Sequence, residues 1–396
     1  MVLEAVESME QQQKVRCAVM RGGTSKGAFF HLKDLPEDLV VRDRVLLSVF
    51  GSPDARQIDG LGGADPLTSK VAVVSLNDDA NVDVNYTFGQ VNIDKPFVDY
   101  RANCGNISAA VGPFAIDEGL VEVVEPVTKV RILNTNTGKM IEAEVPVSGG
   151  KAEVEGDFYI PGVPNPGARI RLGFVDPVGS VTGKLLPTGQ TRNMIDVPGH
   201  GMIEVSIVDA GNPCVFVRAS DLGLIGDELP SEIEETPGVL DKLESARAIA
   251  AVMIGLIDSP SKAAEISPSV PKIAIVGPAM SYQTDSGSAL DSKEIDLVAR
   301  IMSMQRVHKA YARTGAIALI LAAGLPGTIV SEVVEMEGGV VNQLSLGHPD
   351  GAMRLEIVGD EVRGGDRGIV KVIAERTARR IMDGFVYVPQ SIWMKG

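Results

Sequence analysis

Apolar and polar positions alternate through residues 15–32 and are interrupted once, by Arg21-Gly22-Gly23-Thr24-Ser25-Lys26-Gly27, so this stretch predicts strand, turn and strand. Residues 43–50 predict a short helix, 71–74 a β-branched buried strand, and 82–93 further strand. The pattern then changes. Residues 107–115 form a run of small apolar side chains, which predicts a buried helix entered through the turn Asn103-Cys104-Gly105-Asn106. Strands are predicted at 121–124, 127–133 and 141–147, with turns at 136–138 and 148–150. Proline and glycine at Pro161, Pro164, Pro166 and Gly167 break regular structure, and 177–189 reads as a passage between domains.

The second half repeats this order. Residues 201–217 are again strand, glycine turn and strand, closed by Asp221-Leu222-Gly223 as the first unit is closed by Asp34-Leu35-Pro36. Arg313-Thr314-Gly315-Ala316 opens an apolar helix within 309–323, as Asn103-Cys104-Gly105-Asn106 opens the first. The repeat predicts two domains, 14–185 and 186–385, with a cleft that the N-termini of two central helices face. An insertion is placed at 230–288, holding a helix at 240–257 and a strand at 272–276. Strands are predicted at 329–336, 353–358 and 385–388, the last free to cross back to the first domain. Arg376, Arg379 and Arg380 form a cationic cluster with two readings, a solvated patch or a carboxylate contact.

Composition narrows the function classes. At 396 residues, two cores are the natural expectation, and 44% apolar with 22% charged residues is the balance of a globular protein. The net charge of −15 argues against nonspecific binding to nucleic acid or an anionic membrane, while leaving room for a small anionic substrate in a local positive pocket. Three cysteines without a CxxC pair and four scattered histidines give no disulfide framework and no metal-ligand spacing, so neither a metal nor an organic cofactor is expected. Residues 179–184 fall one short of a phosphate-loop spacing, and no dinucleotide fingerprint is present. The terminus, 1–13, has no secretory pattern, which predicts a cytoplasmic address, and the apolar run 316–325 is about half of the roughly 20 residues a membrane span needs.

Candidate chemistry gathers at the turns. Cys104 sits at a predicted helix N-terminus, where unpaired N–H groups favour thiolate and bind anions; the alternative is a buried structural cysteine. Lys70 stands where a glycine-rich loop meets the strand 71–74, either as a desolvated base or as a solvated edge residue. The loop bearing Ser25 and Lys26 reads equally as an anion-binding turn or a plain hairpin connection.

Four blocks in order, residues 20–27, 62–72, 103–106 and 313–316, make the chain resemble the PrpF family, whose members include 2-methylaconitate cis-trans isomerase, within the wider diaminopimelate epimerase and proline racemase fold. The resemblance implies an α/β protein of the α+β kind, two pseudo-symmetric domains each with a curled, mostly antiparallel sheet around a central helix, and the active site between them. It implies a base role for Lys70 and an auxiliary acid or binding role for Cys104. Ser25, Lys26, Thr68, Ser69, Gly105, Asn106, His308, Thr314, Gly315 and Ala316 are the candidate substrate-binding positions. His308 carries a second reading, a satisfied structural histidine.

The epimerases of the wider fold place a cysteine at each central helix, whereas the second position here is read as Thr314, whose hydroxyl is no base near neutral pH. Two-thiol racemisation is therefore disfavoured. The implied reaction is cofactor-independent isomerisation of an unsaturated di- or tricarboxylate, 2-methylaconitate or trans-aconitate first, in the methylcitrate cycle of propionate catabolism. Methylitaconate Δ-isomerisation and oxalomesaconate tautomerisation are the alternatives. Further rivals are an amino-acid epimerase and a catalytically silent carboxylate binder. A homodimer and a pairing with an aconitase-like dehydratase stay open.

Overall fold

The computed structural model describes residues 11–101, 103–334, 341–359 and 371–394. The acidic N-terminal residues 1–10, Ala102 beside the Cys104 turn, and residues 335–336 at the end of one predicted strand lie outside this set.

The first half-sheet is built from β1 (Gln12–Gly22), β2 (Ser25–His31), β3 (Lys70–Leu76), β4 (Val84–Val91), β5 (Val127–Asn134), β6 (Lys139–Ser148) and β7 (Ile170–Val175). The second is built from β8 (Gly201–Ala210), β9 (Asn212–Arg218), β10 (Lys272–Pro278), β11 (Leu297–Ser303), β12 (Gln343–His348), β13 (Gly351–Val358) and β14 (Lys371–Arg376), and β15 (Ala378–Pro389) follows. Within each half, successive pairings run antiparallel, parallel, antiparallel, parallel, antiparallel and antiparallel. The two halves share one topology. β14 pairs with β7, and β15 crosses back to lie antiparallel beside β1.

The helices that matter here are α1 (Leu39–Phe50), α2 (Gly105–Asp117), α3 (Val239–Met253), α4 (Arg313–Ala323) and α5 (Ile329–Val334). Every residue of α2 through Ile116 and every residue of α4 is buried. A helix apolar on all sides is stable only when wrapped, and each half-sheet curls round one of them. Small residues permit the close fit: a Cβ at Gly112 would stand 2.8 Å from Val145 Cγ2. Phe29 and Leu172 around α2, with Phe216, Ile301 and Leu346 around α4, belong to one continuous core.

Several expectations need correction. The stretch 272–276 is no part of an insertion, because β10 is a central strand paired with both β9 and β11. The inserted material ends before it. Residues 121–124 form no strand, and Ile329–Val334 is helical, since a β-branched run packed against α4 takes its conformation from tertiary contacts rather than propensity. Arg376 is buried at the end of β14, and Arg380 bonds Glu118 at 2.9 Å, so these two are not a freely solvated patch.

Candidate active site

The entrances of α2 and α4 are tied together. Asn103 N–H donates to Asn212 Oδ1 at 3.2 Å, and Asn212 Nδ2 donates to Asn103 O at 3.2 Å and to Thr314 Oγ1 at 2.8 Å. Gly105 lies so close to Arg313 that a Cβ there would stand 2.5 Å from Arg313 Cγ. Beside this junction opens a cavity of about 310 Å³, at the small end of the range for metabolite sites. Its wall includes Ser25, Lys70 and Cys104 from the first half and Lys272, His308 and Arg313 from the second.

Cys104 is the N-cap residue of α2, and its side chain makes no capping bond. Its carbonyl accepts from Ser108 N–H and Ser108 Oγ, each at 2.9 Å, so the backbone turn is fixed while the thiol stays on the cavity wall. Gly105 and Asn106, the next two residues, also line the cavity.

Lys70 opens β3, level with Gly27 on one side and Gln90 on the other. It is buried, and its Nζ donates to Gln90 Oε1 at 2.6 Å and lies 5.3 Å from the centre of the Phe88 ring. Gln90 is itself oriented, because its Nε2 donates to Pro66 O at 3.1 Å and Ser69 O at 2.9 Å. The solvated-edge reading of Lys70 does not hold in this fold.

Lys272 occupies the same place in the second half, as the first residue of β10, and sequence reasoning missed it. Its Nζ donates to Ser269 O at 3.1 Å and Ser303 Oγ at 3.0 Å. Burial, reinforced by the charge of Lys70, pulls its pKa down to about 8. A signal was available: Lys70-Val71-Ala72-Val73-Val74 and Lys272-Ile273-Ala274-Ile275-Val276 share one pattern, lysine then β-branched, alanine, β-branched, valine.

His308 also reaches the cavity. Its Nδ1 accepts from Ala310 N–H at 3.0 Å, which leaves the proton on Nε2, and burial together with the charges of Lys70 and Lys272 pushes its pKa down to about 3. It is a neutral donor at ordinary pH. At the cavity rim, Lys309 of the second half meets Asp65 of the first at 3.4 Å.

Five candidates lie elsewhere. Lys26 follows Ser25 on β2, and strand alternation turns it to the other face; its backbone N–H donates to Leu67 O at 2.9 Å. Thr68 and Ser69 are loop ties: their hydroxyls donate to Asp65 O at 3.1 and 3.0 Å, and Ser69 Oγ also reaches Gln57 Oε1 at 2.8 Å. Gly315 faces Ile301, and Ala316 N–H already donates to Ala312 O at 3.0 Å inside α4, so it is not available to a ligand. Thr314 does line the cavity. Its counterpart in α2 is nevertheless Asn106, since both stand second in their helices, and Ala312 holds the capping position that Cys104 holds in the first half.

Comparison with known proteins supports this architecture. The family described as PrpF protein matches residues 12–389. The chain belongs to the PrpF family. Its relatives there include a protein named 3-methylitaconate isomerase from Eubacterium barkeri, 47% identical over 386 residues that cover 97% of this chain and 99% of that one. A 2-methyl-aconitate isomerase from Shewanella oneidensis is 42% identical over 392 residues, covering 96% and 98%. Among solved structures, a methylitaconate-Δ-isomerase superposes with a TM-score of 0.79 at 46% identity over 98% of both chains. A hydroxyproline epimerase from Agrobacterium vitis, at TM-score 0.56 and 14% identity over 96% and 93% of the two chains, shares the fold alone. No described helix of this PrpF chain is long and apolar enough to cross a membrane.

Proposed function

We propose that this PrpF chain isomerises an unsaturated di- or tricarboxylic acid by removing a proton from one carbon and returning one to the same carbon or its allylic partner. The observation that carries the proposal is Lys70 and Cys104 on the wall of one cavity beside the entrances of two buried helices. Lys70 takes the proton next to the alkene and a carboxylate, and the electron pair spreads into a dienolate. The former double bond then rotates, or the proton returns at its far carbon. Backbone N–H groups at Gly105 and Asn106 and the positive charge of Lys272 stabilise the dienolate. Cys104 returns the proton or lines the anion site. Such a proton shift calls for no organic cofactor.

Rotation about the bond, as in a 2-methylaconitate or trans-aconitate isomerase of the methylcitrate cycle, is the leading form, and it includes a functional pairing with an aconitase-like dehydratase. A second form, double-bond migration in a methylitaconate-like dicarboxylate, is favoured by the 47% identity to the protein named for that reaction. The test is a panel of 2-methylaconitate, trans-aconitate, methylitaconate and oxalomesaconate, each incubated with the pure protein and followed by ultraviolet absorbance of the conjugated alkene. Turnover of 2-methylaconitate and trans-aconitate ahead of methylitaconate and oxalomesaconate supports the first form, and the reverse order supports double-bond migration. Turnover of none of them, beside racemisation of an amino acid, contradicts both.

A further inference from the structure

Arg313 is 1% exposed, yet its Nε and Nη1 have no hydrogen-bond partner, and its Nη2 makes only a 3.5 Å contact with Glu375 O. Next to it, Arg376 is also buried; its Nη1 donates to the same Glu375 carbonyl at 3.1 Å, its Nε to Asn106 Oδ1 at 3.2 Å, and its Nη2 contacts the sulfur of Met353. Among the described residues neither guanidinium meets a carboxylate. Burial pulls the pKa of Arg376 down to about 9. On the same cavity wall, Ser25 Oγ is buried and without a partner.

A buried cation is tolerated when an anion or a set of acceptors compensates it, and orphaned donors beside a cavity mark where that anion belongs. Arg313 meets both conditions, since it lines the cavity with donors unpaired, and Arg376, on the same Glu375 carbonyl, adds a second buried charge beside it. We infer that Arg313, with Ser25 Oγ, anchors one carboxylate of the substrate, and that this subsite selects a polycarboxylate over a substrate with a neutral or cationic group at that end. The position is the first residue of α4, where the helix N–H groups reinforce the attraction for an anion. The inference deepens the isomerase reading and rests on it only for turnover; binding tests it independently.

The experiment uses the intact protein and its Arg313→Met and Arg313→Lys variants. Methionine keeps the methylenes that touch Gly105 and removes the charge. Calorimetric titration with tricarballylate, a saturated tricarboxylate, and with its neutral triamide reads the subsite without chemistry. The wild type binds the acid and not the amide, Arg313→Met weakens the acid by about 100-fold, and Arg313→Lys recovers part of the loss. On a turned-over acid, KM rises by about the same factor, kcat changes far less, and added guanidinium restores affinity to Arg313→Met. Without ligand, Arg313→Met melts no lower than the wild type, because removing an uncompensated buried charge relieves strain, while the ligand-induced rise in melting temperature disappears. Equal tricarballylate affinity in wild type and Arg313→Met, or a wild type that binds neither compound, overturns the inference. Loss of binding in Arg313→Met from a wild type that turns over no unsaturated acid upholds the anchor and defeats the isomerase reading. Turnover with an unchanged KM in Arg313→Met does the opposite.

Discussion

Lys70 and Lys272 are topological mates: each opens the third strand of its half-sheet, each gives its Nζ to a polar side chain on the neighbouring antiparallel strand, Gln90 at 2.6 Å and Ser303 at 3.0 Å, and both line one cavity. The duplicated topology thus delivers two lysine amino groups to one small space. Burial above all, with the nearby Lys70 adding to it, brings Lys272 down to about 8.

That value predicts a pH dependence. Below about 8 Lys272 is charged and holds a carboxylate; as pH rises through that value the charge is lost and KM for the acid increases. A guanidinium at this position would stay charged throughout, so Lys272→Arg moves the alkaline rise in KM upward, and Lys272→Met shows a raised KM at every pH with no rise near 8. Stability has the matching sign. A lysine whose folded pKa is lowered costs stability below about 8, and the cost is relieved as pH climbs toward the ordinary 10.5. Profiles of KM and of chemical denaturation for the wild type and both variants check the two statements.

Acid pH reports on a different pair. Burial holds His348 at about 3, with Arg300 and His308 adding repulsion, and His308 stands at about 3 as well. Both contribute stability that is complete above the ordinary 6.5 and is lost as pH falls toward 3, each at about 1.4 kcal/mol per pH unit once the unfolded imidazole is fully protonated. Asp350, raised to about 6 by burial and by Asp285, works in the opposite direction between 6 and 3.8. The comparison of His348→Gln with the wild type therefore isolates the histidine, and its stability falls less steeply with acid by about one proton.

Gly105→Ala tests the helix junction. The new Cβ would come within 2.5 Å of Arg313 Cγ and 2.7 Å of Arg313 Cβ, neither of which is the free end of a side chain. The entrances of α2 and α4 must separate. A loss of about 1–3 kcal/mol, seen as a lower denaturant midpoint with an unchanged slope, is expected, together with a drop in activity. Wild-type stability would mean that the junction is looser than its contacts imply.

Much of this was legible from the chain. The glycine turn, the buried central helices and Cys104 at a helix entrance all follow from patterning, because an all-apolar helix and a Gly-rich turn have few places to go. Lys272 was hidden by the helix α3 and its surroundings, which separate β10 from β9 and obscure its correspondence with β3. Arg313 was equally hard to assign, since its importance lies in donors left unpaired after folding, a property no local sequence carries. Thr68 and Ser69 illustrate the opposite case: hydroxyls beside a catalytic candidate look like ligand contacts in the sequence, but in the fold they brace the loop through Asp65 O. For Ile329–Val334, helix and strand patterns coincide in a short β-branched run, and packing decides.

The central claim is that Lys70 moves the proton, and one measurement addresses it directly: turnover of the preferred unsaturated acid in deuterated water by wild type, Lys70→Ala and Cys104→Ser, with label counted in recovered substrate and product. Wild type should place deuterium at the isomerised carbon. Lys70→Ala should lose roughly 10²- to 10⁴-fold or more in kcat, together with exchange into recovered substrate, and Cys104→Ser should lose less on both counts. A Lys70→Ala enzyme with near wild-type kcat and undiminished label, or a dead Cys104→Ser beside a half-active Lys70→Ala, would contradict the assignment.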